Sequence, residues 1–164
     1  MMMFQPLNAK VEAPNYNFSL DTLADFFPEK NRADVEKKYG KAEVMATKSS
    51  VETLKFYVAH IRYKFPVIVQ VKDGKILDFF AKLPSYFLHD VFFQSLVNRM
   101  GKQQSYKKVG EEAVYVWEKD SLKHVYSAAC TITCFTIFYT VFPAKPVSGF
   151  KPLIETMKAS VPKF

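Results

Sequence analysis

The chain carries no Gly-rich phosphate loop, no Gly-x-Ser-x-Gly and no His-Glu-x-x-His. Their absence removes the familiar signatures of nucleotide binding, serine hydrolysis and zinc proteolysis. Histidine is scarce: His60, His89 and His124 stand in unrelated local surroundings, and His60 alternates with Val58 and Arg62 along a strand. Each reads as a satisfied or solvent-facing ring rather than a catalytic one. Asp78, Asp90 and Asp120 are isolated acids, so no acid/base pair can be assembled from them. Glu111-Glu112 reads as polar loop. The expectation is a chain with no catalytic residues, no metal and no cofactor.

Arginine is scarce too. Against a net charge of +7 there are only Arg32, Arg62 and Arg99, while the lysines are scattered (Lys37-Lys38, Lys64, Lys72, Lys75, Lys107-Lys108, Lys123). Nucleic-acid readers concentrate arginine in a basic stripe, so no nucleic-acid partner is expected and the charge reads as a solvated surface. Residues 1–10 (MMMFQPLNAK) lack the basic and apolar regions of a secretory signal. That leaves a cytosolic chain or a mature form. The polar residues 6–17 resemble the tether that follows a cleavage or lipidation site.

Aromatic residues are plentiful, with 16 Phe and 9 Tyr, and nearly half the residues are hydrophobic, enough for a packed core. The apolar runs are self-similar. Residues 67–84 (VIVQVKDGKILDFFAKLP) and 126–143 (YSAACTITCFTIFYTVFP) align without a gap at an offset of 59. Residues 34–41 and 95–102 align at an offset of 61, each closing a helix on Gly-Lys. Read in order, residues 1–18 are a flexible lead-in. Residues 20–27 and 33–39 are helices separated by Pro28, and 41–50 is polar loop. Strands follow at 54–62, 63–71 and 76–83, the last two joined at Asp73-Gly74, a strong hairpin signal. A helix at 85–100 carries Phe87, Leu88, Val91, Phe92, Leu96 and Met100 as an apolar stripe. Strands at 113–118, 122–129 and 135–142 complete the second unit, and 144–164 is a tail with a short helix at 153–159. The predicted fold is α+β. Two tandem helix(–loop–helix)–three-strand repeats, 19–84 and 85–143, form a six-stranded antiparallel sheet with helices packed on one face.

Residues 125–143 carry no charge and are long enough to span a bilayer as a helix. Their Thr, Ile, Val, Phe and Tyr content favours strands, and their register matches a segment holding Lys72, Asp73 and Lys75. A hairpin is expected, with no integral membrane segment. Cys130 and Cys134 then flank its turn. Four residues apart along one straight strand they are about 13 Å apart and cannot bond, but across a tight loop they are opposed. A disulfide is the expectation and implies an oxidising compartment; two buried free thiols are the other reading. No His or acid stands near them at metal-ligand spacing.

The last strand is apolar on both faces. A face of Tyr115, Trp117, Phe135, Ile137 and Tyr139 is therefore the candidate binding site, since Tyr and Trp anchor interfaces; cover by the tail or the other repeat is the competing reading. The element order over 19–143, with Tyr39-Gly40-Lys41 and Met100-Gly101-Lys102 ending the helices, resembles the beta-lactamase inhibitory protein architecture. Each single unit resembles the small lipoprotein of the outer-membrane barrel-assembly machinery. The resemblance implies an exported bacterial protein, periplasmic or envelope-associated, that binds another protein through an exposed sheet face. The cysteines depart from the inhibitor pattern, and no inhibitory residue carries over. The expected function is a non-catalytic protein-binding module. The alternatives are a carrier of a lipid or small apolar ligand in a cavity between helices and sheet, and an enzyme of unrecognised type.

Overall fold

A computed structural model describes residues 20–60, 63–83, 89–109, 112–130, 134–145 and 149–157. In chain order these form α1 (Leu20–Ala24), α2 (Arg32–Tyr39), β1 (Glu43–Lys48), β2 (Val51–His60), β3 (Tyr63–Lys72), β4 (Lys75–Leu83), α3 (His89–Met100), β5 (Ser105–Val109), β6 (Glu112–Lys119), β7 (Leu122–Cys130), β8 (Cys134–Pro143) and α4 (Leu153–Met157). The strands make one antiparallel sheet in the order β1-β2-β3-β4-β8-β7-β6-β5. Two four-stranded meanders thus meet where β4 pairs with β8, from Phe79 opposite Val141 to Leu83 opposite Ile137.

This overturns the expected pair of helix–loop–helix and three-strand repeats under a helical layer. The described chain is mostly sheet, with eight strands rather than six and a few short helices. The two strands missed are the sheet edges. β1 occupies the stretch read as polar loop, and every residue in it is exposed. An edge strand with no buried face has no alternation to display, and its charges discourage pairing with other chains. The helices also divide between the faces. Leu23 of α1, Val35 of α2 and Leu96 of α3 enter one core cluster, while Leu153 of α4 enters the other. Residues 125–143 are strand on both sides of 131–133, which lie outside the described residues, as does the lead-in, 1–18. No helix among the described residues is long and apolar enough to cross a membrane.

Three two-residue turns set the hairpins. Ser49-Ser50, Asp73-Gly74 and Asp120-Ser121 all have positive φ at both positions, the backbone that matches the right-handed twist of the flanking strands. The central strands are buried on both sides, so consecutive residues Phe79, Phe80 and Ala81 are all core. On the face under α1–α3, Phe79 meets Tyr139 edge-on at 5.6 Å. On the other, Phe80 stacks on Phe138 at 4.8 Å. The loop after α1 is tied to the start of β4 by Glu29 N donating to Ile76 O at 2.8 Å and Ile76 N donating to Lys30 O at 2.9 Å.

α4 is held to its face by a buried acid. Leu153 N donates to Asp78 Oδ2 at 2.5 Å. The Gln70 amide, assigned with its nitrogen inward, donates to Asp78 Oδ1 at 2.8 Å and to Lys151 O at 2.9 Å. Burial pushes the Asp78 carboxyl up to about 8, with the Leu153 N–H opposing. An acid with a raised folded pKa binds more protons folded than unfolded. Its contribution is therefore present below the ordinary carboxyl range and is lost as pH rises to about 8. Urea unfolding across this range is expected to show that decline in the native sequence. Asp78→Asn, which keeps an acceptor without a charge, flattens it, and parallel profiles would clear Asp78 of the effect. Asp78→Ala at pH near 5 strands the Leu153 donor, at a cost of about 1–3 kcal/mol.

Candidate functional site

The register of β7 and β8 puts His124 opposite Val141 and Tyr126 opposite Tyr139. His124 and Tyr139 are therefore diagonal neighbours on the face that carries α1–α3. Their side chains meet, with His124 Nδ1 2.7 Å from the Tyr139 hydroxyl. Which of the two donates across this contact depends on the imidazole tautomer. Phe27 packs edge-on against the imidazole at 5.5 Å, and Phe27 itself stacks on Phe79 at 5.8 Å. The end of α3 comes down beside the pair because Trp117 Nε1 donates to Gly101 O at 2.8 Å and Lys119 Nζ donates to Arg99 O at 3.3 Å.

These elements line an open cavity of about 200 Å³. Ala24, Phe27, Met100 and Leu122 form its apolar walls. His124 and Tyr139 are its buried floor, and Arg99, Lys119 and Asp120 its charged rim. Burial pushes the His124 imidazole down to about 4, with Lys119 adding and Asp120 opposing, so the ring is neutral at pH 7. Burial likewise holds the Tyr139 hydroxyl above its ordinary range, against the charge of Arg99. No hydrogen bond reaches His124 Nε2 among the described residues. A larger groove of about 520 Å³ runs between β1–β3 and the segment before α4. Its Gln70 is already bonded to Asp78 and Lys151, which leaves the smaller cavity as the better site. No group of three or more His, Cys, Asp or Glu that could hold a metal occurs among the described residues.

The aromatic face expected to lie open is core. Trp117 and Ile137 are 1% exposed and Tyr139 is fully buried; Phe93 of α3 lies 6.1 Å from Trp117 and 4.4 Å from Tyr115, while Phe79 packs edge-on against Tyr139. Tyr115 is half-buried, also against Tyr106 at 5.0 Å. Phe135 lies in β8 opposite Ala129, and its side chain is outside the described residues. Of those five residues only Tyr139 lines the cavity. Cys130 and Cys134 are register partners at the end of the β7–β8 hairpin. His124, read from the sequence as a bland ring, is the residue that reading missed. A strand histidine beside a tyrosine strand was the only signal, and the register needed to align them was not in it.

No protein-family model matches this chain, and no curated protein matches it. Among solved structures, a DUF4309 family protein, YjgB of Bacillus subtilis subsp. subtilis str. 168, superposes with a TM-score of 0.46. The match covers 84% of this chain and 94% of that one at 11% identity. At that level it contributes no residue or activity to the site.

The imidazole makes the site's chemistry measurable. Ring resonances of His124 are expected to stay flat from pH 8 to 5 and to move only near pH 4. A base with a lowered folded pKa stabilises above its ordinary value of 6.5, and that stability is lost as pH falls to about 4. Tyr139→Phe leaves His124 Nδ1 without its hydrogen-bond partner, costing about 1–3 kcal/mol in denaturant unfolding. A variant as stable as the native chain would count against the pair.

Proposed function

We propose that this chain is a non-catalytic binding module that holds a small molecule in the cavity between its helices and its sheet. His124 carries the reading. It is 5% exposed, it lines the cavity, and its Nε2 has no hydrogen-bond partner among the described residues. A buried polar atom left unpaired costs about 1–3 kcal/mol, which an occupant with a complementary group recovers. The volume, about 200 Å³, falls below the roughly 300–1,000 Å³ of drug-sized sites. The occupant is thus a single ring or a short branched chain. The polar floor under apolar walls orients it.

The test is a set of one-ring probes, namely benzoate, benzyl alcohol and benzylamine. At least one is expected to shift the His124 ring and Met100 methyl resonances in a saturable way. Ala24→Phe, which fills the cavity from α1, is expected to abolish the shift. Silence from all three probes would sink the reading.

We also propose that Cys130 and Cys134 are bridged and that the protein works in an exported, oxidising setting. The support is their opposition in the β7–β8 register across only residues 131–133, which gives backbone spacing suited to a disulfide. A ring so small gains little loop entropy, so the bond would chiefly hold the turn. Intact mass of the unfolded, non-reduced protein after alkylation is expected to show both cysteines blocked until reductant is added. Free alkylation of both would remove the bridge and the argument for export together.

A further inference from the structure

Apart from the cavity, we infer that β1 is the docking surface for a second copy of this chain: two β1 strands pair antiparallel about a two-fold axis and join two sheets edge to edge, with Glu43 of each copy opposite Lys48 of the other.

Among the described residues β1 has a strand on one side only, β2. Its outer edge therefore carries the unpaired N–H and C=O groups that accept a further strand. The strand reads EVMATK, from an acid through an apolar middle to a base. Reversed against itself, it sets Glu43 opposite Lys48, Val44 opposite Thr47 and Met45 opposite Ala46. The two ends make two opposite-charge pairs. Val44 and Met45, 53% and 48% exposed, gain cover. Neither Glu43 nor Lys48 has an ion pair among the described residues, so both charges are available.

This pairing needs both charges on one face. Five residues apart on a regular strand, they fall on opposite faces. The register shift between Val44 and Ala46 corrects that. Glu43 lies opposite Lys55 and Lys48 opposite Val51, and those two, four apart on β2, share a face. Val44 and Thr47 share the other face in the same way, opposite Leu54 and Glu52. The end charges that turn away an unrelated strand thus suit a second β1. The other edge of the sheet does not compete. Reversed against itself, β5 (SYKKV) sets Lys107 opposite Lys107, which opposes pairing and stops growth at two copies.

Sedimentation of the native chain over a concentration series up to about 1 mM, the range of a small interface, tests the contact. A monomer–dimer equilibrium is expected, with nothing larger than a dimer, and added salt should weaken it. Glu43→Lys and Lys48→Glu each put like charges opposite one another at both ends. Each should weaken self-association about tenfold. Mixing the two single variants restores both opposite-charge pairs, so the mixture should dimerise with native strength. The double variant Glu43→Lys/Lys48→Glu should dimerise like the native chain, which also shows that neither substitution acts by unfolding. A native chain that stays monomeric throughout overturns the inference. So does a dimer that the single substitutions leave unchanged, or a pair of weakened variants whose mixture does not recover. Association beyond the dimer overturns the two-fold pairing in favour of a head-to-tail contact between β1 and β5.

Discussion

The pairing of β4 with β8 is the interaction on which the rest of the structure depends. No turn brings these strands together. The Thr140 hydroxyl donates to Phe79 O at 2.5 Å across a separation of 61 residues, so the contact must overcome the closure entropy of a long loop. Without it there are two meanders, each with a long exposed edge. With it, Phe79 meets Tyr139 on one face and Phe80 meets Phe138 on the other. Phe27 then has a flat surface to stack on, and His124 is brought beneath it.

The two faces treat their buried polar groups differently, and that difference points to the site. On the α4 face the Asp78 carboxyl accepts from Leu153 at one oxygen and from Gln70 at the other, so each oxygen has a partner. This arrangement joins α4 and the segment before it to the sheet. On the opposite face the His124–Tyr139 contact occupies one ring nitrogen of a residue that lines a cavity, and the other has no hydrogen-bond partner among the described residues. Buried polar groups in folded proteins are overwhelmingly paired. A buried ring nitrogen with no partner among the described residues, in a residue that lines an open volume, is therefore a better marker of binding than either the larger groove or the aromatic count.

Much of the sheet was legible. Asp73-Gly74 and Asp120-Ser121 are turn residues with a mechanism, and β3, β4, β7 and β8 lie close to where turn and strand chemistry put them. The edges were not legible, because β1 is exposed throughout and β5 (SYKKV) is polar and short, so neither shows a hydrophobic period. The helices misled for a related reason. Gly40 and Gly101 do follow helices, but a helix end says nothing about which face of a sheet the helix will cover. The aromatic richness of β6 and β8 suggested an exposed contact surface, and α3 covers it.

By itself the sequence determined the local grammar: where the chain turns, which segments extend, and that the last strand is apolar on both sides. These follow from backbone preferences and side-chain character within a few residues. The tertiary structure decided the candidate site through one irregularity. Counting back from Cys130 opposite Cys134 without interruption sets His124 against Thr140 and sends Tyr139 to the other face. The register shift between Ser127 and Ala129 moves the pairing by one residue, so that His124 lies opposite Val141 and beside Tyr139. One extra residue in one strand flips every side chain beyond it. That choice is made by the packing of the whole sheet, not by the residues at the bulge.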